Sequence, residues 1–241
     1  MDILENTRQK LIYIMEQENW GEEGIAVVSE QPLSPMEATS ELDRNDLPIS
    51  KGKEFMIEAA FRGAAGQAFT DQPGFYNGTL REVTMLPLTD DFHRAVFIAS
   101  TNAVLRSMGL LEKSVHCKDL EPVECAKKLA LKINGQFGQP KIAFIGYQPG
   151  MVDELAKMFE MRVVDLDPDN IGRRFGNVVV EDAIMTNDIL DWSDIVLATG
   201  STATNGTMTT FMIDKPTIFY GITIAGIACL NALDVYCPGG H

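Results

Sequence analysis

The stretch "KIAFIGYQPGMVDELAKMFEMRVVDLD", Lys141 to Asp167, decides how the chain folds. Ile142 to Ile145 form an unbroken apolar run ending at Gly146, the pattern of a strand buried on both faces. "MVDELAKMF" then has helical spacing, and "MRVVDLD" is a second apolar run closed by acids. The alternation continues through "NVVVED", "AIMTNDILDW", "DIVLATG", "TNGTMTTFM", "PTIFYG" and "ITIAGIACLNAL". Residues 137–241 are therefore expected to form a Rossmann-like α/β domain, a parallel sheet with helices on both faces.

Residues 1–136 have a different grammar, helix, then strands, then helices, which predicts an α+β domain. "MDILENTRQKLIYIMEQENW" is an amphipathic helix with Ile3, Leu11, Ile12 and Met15 inward. "GIAVVSE" is a short strand, and "EFMIEAAFRGAAGQAFT" and "TLREVTMLPL" contain strand-like stretches around "DQPGFYNG", whose Asn77-Gly78 pair predicts a turn. "DDFHRAVFIASTNAVLRSMGLL" repeats Phe92, Val96, Ala99, Ala103 and Leu110 at roughly helical spacing. "PVECAKKLALKI" starts a further helix with Pro122 in its first turn, where the missing N–H costs nothing. The Gly-, Gln- and Pro-rich "NGQFGQPK" marks the expected boundary between the domains, at 136/137.

With 241 residues and 45% hydrophobic side chains, the chain can bury sizeable cores. A net charge of −14 argues against nucleic acid and anionic membrane surfaces, both of which are gripped through Lys and Arg. Early acids in the N-terminal helix are unlike a signal peptide, so the expected location is cytoplasmic. "PTIFYGITIAGIACLNAL" is uncharged and nearly long enough for a membrane span, but the Gly221 break and Asn231 fit a buried strand followed by a buried helix. Cys117, Cys125, Cys229 and Cys237 contain no C-x-x-C pair, so thiols in a reducing compartment are expected.

Open parallel sheets bind ligands outside the carboxyl ends of their strands. That rule selects Gly146, Tyr147 and Gly150 after the first strand, Asp165 and Asp167 after the second, and Gly221 and Thr223 after "PTIFY". It also selects the loop "ATGSTATNGT", where Thr199, Gly200, Ser201, Thr202 and Asn205 crowd more hydrogen-bonding groups together than one helix cap can use. Asp165 and Asp167 lie about 20 residues past Gly146, where dinucleotide-binding domains keep a ribose-binding acid. Against that reading, Gln148 stands in place of the second glycine of the phosphate loop and Tyr147 adds bulk.

The His/Cys content falls into two groups, His116-Cys117 with Cys125, and Cys237 with His241. Neither alone has the spacing of a four-ligand site, though the two together in space could form one, with His116 and Cys117 as its metal-ligating candidates. Acid–base chemistry would draw on Asp165, Asp167, Glu181 or Asp182; there is no G-x-S-x-G, Walker or H-E-x-x-H motif. Arg62 and Arg81 are the strand-borne cations able to hold an anion.

"LATGSTATNGT", "FYGITIAGIACL", "YCPGGH", "ASTNAVL" and "SVHCKDLEPVECA" together resemble a prokaryotic family that joins an enolase N-terminal-like domain to a Rossmann-like domain and is assigned to heavy-metal chelation. The resemblance implies that architecture, a binding site in the cleft between the domains, and a role there for Asn102, an amide in an otherwise apolar helix. The leading expectation is a small-molecule or metal-complex binding protein, its ligand a transition metal or a nucleotide-type compound. The alternative is an enzyme using S-adenosylmethionine or an NAD-like cofactor, and the third is an acidic interaction protein. From Gln139 onward six Lys and Arg face thirteen Asp and Glu, a balance that favours a cation. A homodimer is the base-rate expectation.

Overall fold

The computed structural model describes residues 2–29, 54–117 and 121–241. Helix α1 (Ile3–Glu18) is followed by four strands, β1 (Gly24–Ser29), β2 (Phe55–Phe61), β3 (Ala64–Thr70) and β4 (Phe75–Thr79). Three helices come next, α2 (Leu80–Thr84), α3 (Asp91–Ser107) and α4 (Glu121–Phe137). The remainder alternates: β5 (Ile142–Ile145), α5 (Pro149–Leu155), β6 (Met161–Asp165), β7 (Arg174–Phe175), β8 (Val178–Asp182), α6 (Thr186–Trp192), β9 (Ile195–Thr199), α7 (Ser201–Thr204), β10 (Thr217–Tyr220), α8 (Ala225–Asn231) and β11 (Asp234–Tyr236). Single 3-10 turns occupy Ala183–Met185 and Met208–Phe211.

Among the described residues the strands form two sheets. The first is antiparallel in the order β3-β2-β1-β4; the second runs β11-β10-β9-β5-β6-β8-β7 and is parallel except for the β7–β8 edge hairpin. From β5 the chain steps outward through β6 to β8, then returns to the other side of β5 for β9, β10 and β11. This is the strand order of dinucleotide-binding sheets, with its point of reversal between β5 and β9.

The parallel strands are buried on both faces, as their apolar runs require. Ala143 and Ile145 of β5, with Val196 and Ala198 of β9, join one core, while Ile142, Phe144, Ile195 and Leu197 join the other. The first core also takes in α1, both sheets and α3. Every residue of α3 from Ala95 to Leu105 is buried, so this helix packs on all sides. The second core holds Ala126, Leu129 and Ile133 of α4, a helix on the N-terminal side of residue 137, against β5, β6 and β8.

Close packing of α3 on β3 depends on a missing side chain. A Cβ on Gly66 would stand 2.2 Å from Ala103 N and 2.5 Å from Ala99 O, so backbone meets backbone there.

Several local expectations change. Asn77 and Gly78 lie inside β4, opposite Ala26 and Ile25, and make no turn. Cross-strand pairing with β1 overrides the local signal; at Gly78 a Cβ would meet Glu82 Oε2 at 2.6 Å, which accounts for the glycine. Arg81 is on a helix rather than a strand: Thr79 and Glu82 make a reciprocal capping box that starts α2. The hairpin turn falls instead at Arg62-Gly63, both with positive φ. Residues 216–233 comprise β10 and α8, and among the described residues no helix is long and apolar enough to cross a membrane.

Candidate functional site

The carboxyl ends of β5, β6, β9 and β10 bring together Gly146, Tyr147, Asp165, Asp167, Thr199, Gly200, Gly221 and Thr223 along one edge of the parallel sheet. Gly146 has φ +86°, and a Cβ on it would lie 2.5 Å from Thr199 Cγ2, so only glycine fits at the point of reversal. Behind it, the buried Tyr220 hydroxyl donates to Gly146 O at 2.6 Å and Ile145 O at 3.1 Å, with the Thr199 side chain beside it. Burial pushes this phenol well above its ordinary pKa, so it remains a donor.

The hydroxyl-rich loop is largely spent on itself. Thr202 donates to Thr199 O at 2.7 Å and Thr204 to Ser201 O at 2.8 Å, while Asn205 Oδ1 accepts from Thr207 N and Oγ1. Such bonds from side chain to nearby backbone are the usual competitors of helix in Ser- and Thr-rich runs, and here α7 lasts four residues. Gly200 lets the loop pass Ile224, whose N would be 2.9 Å from a Cβ. Thr199 and Ser201 keep partial exposure.

The phosphate-binding and ribose-binding positions of a dinucleotide site are also occupied from within. Gln148 Oε1 accepts from Met151 N and caps α5, where Pro149 and Gly150 are buried in the first turn. Asp165 accepts from Tyr147 N at 2.6 Å, Asp167 N at 2.8 Å and Asn170 Nδ2 at 3.1 Å, so both its oxygens tie loops together. Glu181 is held bidentately by Arg162 at 2.6 and 2.8 Å, and Asp182 caps the following 3-10 turn.

Asn102 is a strut at zero exposure. Its amide donates to Gln67 O at 2.9 Å and Thr223 O at 3.2 Å, and its oxygen accepts from Gly226 N at 2.7 Å. Thr223 Oγ1 in turn accepts from Phe69 N. These bonds lock the end of β3 to the loop after β10. Arg62 and Arg81 are elsewhere: Arg62 stacks over Trp20 and pairs with Glu23, and Arg81 pairs with Glu22.

The two His/Cys groups do converge. His241 exchanges backbone hydrogen bonds with Val115 at 2.9 Å, beside His116-Cys117, and Tyr236 donates to Cys125 O. His116 lies edge-on to Phe69, with its Nε2 4.0 Å from Cys117 Sγ. Still, among the described residues no three His, Cys, Asp or Glu side chains are grouped so as to hold a metal ion.

Sequence reasoning missed Glu54, which stands just before β2. Glu54 is half-buried, and its carboxyl lies within electrostatic reach of Asp165, Asp167 and Asp71. Burial first, then those three acids, raises its pKa from 4.5 to about 7. An acid preceding an apolar strand carries no local signal of this; only the meeting of the two sheets creates it. Nearby, Asp71 faces Asp91 at the start of α3, and burial followed by that second carboxylate raises the Asp71 pKa.

Residues 130–225 match a family model described as "Putative heavy-metal chelation". The chain resembles the DUF364 family. A DUF364 protein of unknown function from Pyrococcus horikoshii superposes with a TM-score of 0.57 at 16% identity, over 92% of this chain and 79% of its own. A DUF364 protein of unknown function from Desulfitobacterium hafniense DCB-2 does so with a TM-score of 0.52 at 12% identity, over 74% of this chain and 73% of its own. At such identities the DUF364 structures establish a common mixed α/β fold. Among curated proteins, none matches the sequence.

Proposed function

We propose that the protein binds a cationic small molecule or metal complex in the crevice where the ends of β2 and β3 meet the carboxyl ends of the parallel strands. The observation that carries this reading is Glu54, a carboxyl at the start of β2 whose pKa is held up to about 7 by burial and by Asp165, Asp167 and Asp71. Such a group is costly unless it keeps a proton or meets a positive charge. The heavy-metal description of the matched family model supports the same reading. Residues 1–136 and 137–241 would supply opposite walls of the crevice, and the leading location is the cytoplasm.

Native mass spectrometry of the purified protein, beside elemental analysis of the same sample, tests it. The reading expects a bound cation, or a mass shift on adding one, that is lost in Glu54→Gln. Retention of the ligand by Glu54→Gln, and its loss on replacing Cys117 or Cys237, would move the site to the thiol side.

A further inference from the structure

We propose that Asn205-Gly206 is a self-modifying site: the Gly206 nitrogen closes on the Asn205 side-chain carbonyl, ammonia leaves, and water opens the resulting cyclic imide to aspartate or isoaspartate.

The sequence holds three Asn-Gly pairs, at 77–78, 134–135 and 205–206. A glycine after asparagine leaves the attacking nitrogen unshielded, because no Cβ stands beside it. The fold separates the three. Asn77 and Gly78 sit in the β1–β4 ladder opposite Ala26 and Ile25, where ring closure would break strand pairing. Asn134 and Gly135 lie inside α4, whose ladder commits the N–H of each interior residue. Asn205 and Gly206 follow α7 and belong to neither kind of ladder, and Gly206 has φ +74°.

The groups around this third pair suit the attack. Asn205 Oδ1 accepts from Thr207 N at 3.1 Å and from Thr207 Oγ1 at 2.7 Å. A backbone N–H can only donate, so the side-chain atom facing Thr207 N is the oxygen, which fixes how the amide is turned. Attack at Cγ puts negative charge on that oxygen, and two donors already aimed at it stabilise the charge as an oxyanion hole does. The amides on either side of the attacking nitrogen are committed, Asn205 N to Ser201 O and Thr207 N to Thr202 O, whereas Gly206 N has no acceptor among the described residues. The Arg94 guanidinium packs directly on Gly206, with Cζ 3.1 Å and Nη1 3.4 Å from where a Cβ would stand. Its Nε is anchored on Thr204 O at 2.7 Å and its Nη2 holds Asp91. A cation in that position favours both the deprotonated Gly206 amide and the oxyanion.

The product places a carboxylate beside Arg94. In the isoaspartyl form it also adds a methylene to the backbone between the bonds to Ser201 O and Thr202 O. Ageing of the protein thereby alters the loop that carries Thr199 and Ser201 at the end of β9. The site is independent of Glu54 and of the cation reading.

The test is incubation of the folded full chain at pH 7.5 and 37 °C, with tryptic digestion at intervals. Trypsin puts the three pairs on separate peptides, and mass spectrometry with fragmentation reads aspartate and isoaspartate at each. Asn205 is expected to convert about tenfold or more faster than Asn77 and Asn134. Thr207→Val, which keeps the shape and removes the hydroxyl, should slow Asn205 by about tenfold, as loss of one hydrogen bond to a developing charge requires, and Thr207→Ser should retain the rate. In urea the three pairs should converge in both wild type and variants, so a Thr207→Val chain that fails to fold leaves the wild-type comparison standing. Equal rates at the three pairs in the folded protein, a lead of Asn205 that persists in urea, or a folded Thr207→Val chain as fast as wild type would each overturn the proposal.

Discussion

Asn102 and Gly226 are matched to each other: the Gly226 N–H donates to Asn102 Oδ1 at 2.7 Å, and a Cβ on Gly226 would stand 2.6 Å from that oxygen. Asn102→Ala leaves a buried N–H and two buried carbonyls without their partner. The expected cost is about 2–4 kcal/mol, read from urea denaturation midpoints. Gly226→Ala should destabilise in the same direction by pushing the amide off its seat. A variant of Asn102 that keeps full stability and loses only ligand binding would contradict the strut.

Gly66→Ala should be among the most damaging single-methyl additions in this protein. The new carbon would meet the backbone of α3 at Ala99 and Ala103, which cannot swing aside as a side chain would. A loss of about 3 kcal/mol or more, or failure to fold, is expected. Thermal melting of the soluble fraction provides the check.

Glu54 gives stability a pH signature. Its pKa of about 7 lies above the ordinary 4.5, so the folded protein holds a proton that the unfolded chain has released. The group's contribution is fully present below about pH 4.5, falls as pH rises toward 7, and is flat above. Glu54→Gln should match the wild type near pH 4.5 and exceed it at pH 8 by roughly 1–3 kcal/mol. Equal stabilities at pH 8 would refute the raised pKa of Glu54.

Asp165→Asn turns an acceptor toward the amides of Tyr147 and Asp167 into a group that is half donor. A loss of about 1.5–3 kcal/mol in chemical denaturation is expected, with the loops after β5 and β6 gaining amide hydrogen exchange. A ribose-binding acid would instead tolerate Asn with little change in stability.

The parallel sheet was legible from Lys141 to Asp167 because strands buried on both faces leave unbroken apolar runs, and Ile142 to Ile145 do divide alternately between two cores. The edge strands β7 and β11 were not legible: two and three residues long, they are defined by pairing rather than by their own pattern. Asn77-Gly78 misled because cross-strand pairing outweighed turn preference, whereas the Thr79 and Glu82 capping signature was present in the sequence and passed over. At the candidate site, the strand-end residues were selected by topology alone. Glu54 was invisible because its neighbours, Asp165 and Asp167, lie more than a hundred positions away along the chain.

Helix α1 is fastened almost at the opposite end of the chain: Lys10 donates to Leu230 O, 220 positions on, and Asn6 and Thr7 bond to Asn231. Arg8 of the same helix donates to Thr84 O at 3.2 Å and Leu86 O at 3.0 Å, at and just beyond the end of α2. Helix α1 is therefore a clasp that holds the antiparallel half and the last helix of the parallel half in one piece, and cutting it away would free both ends at once.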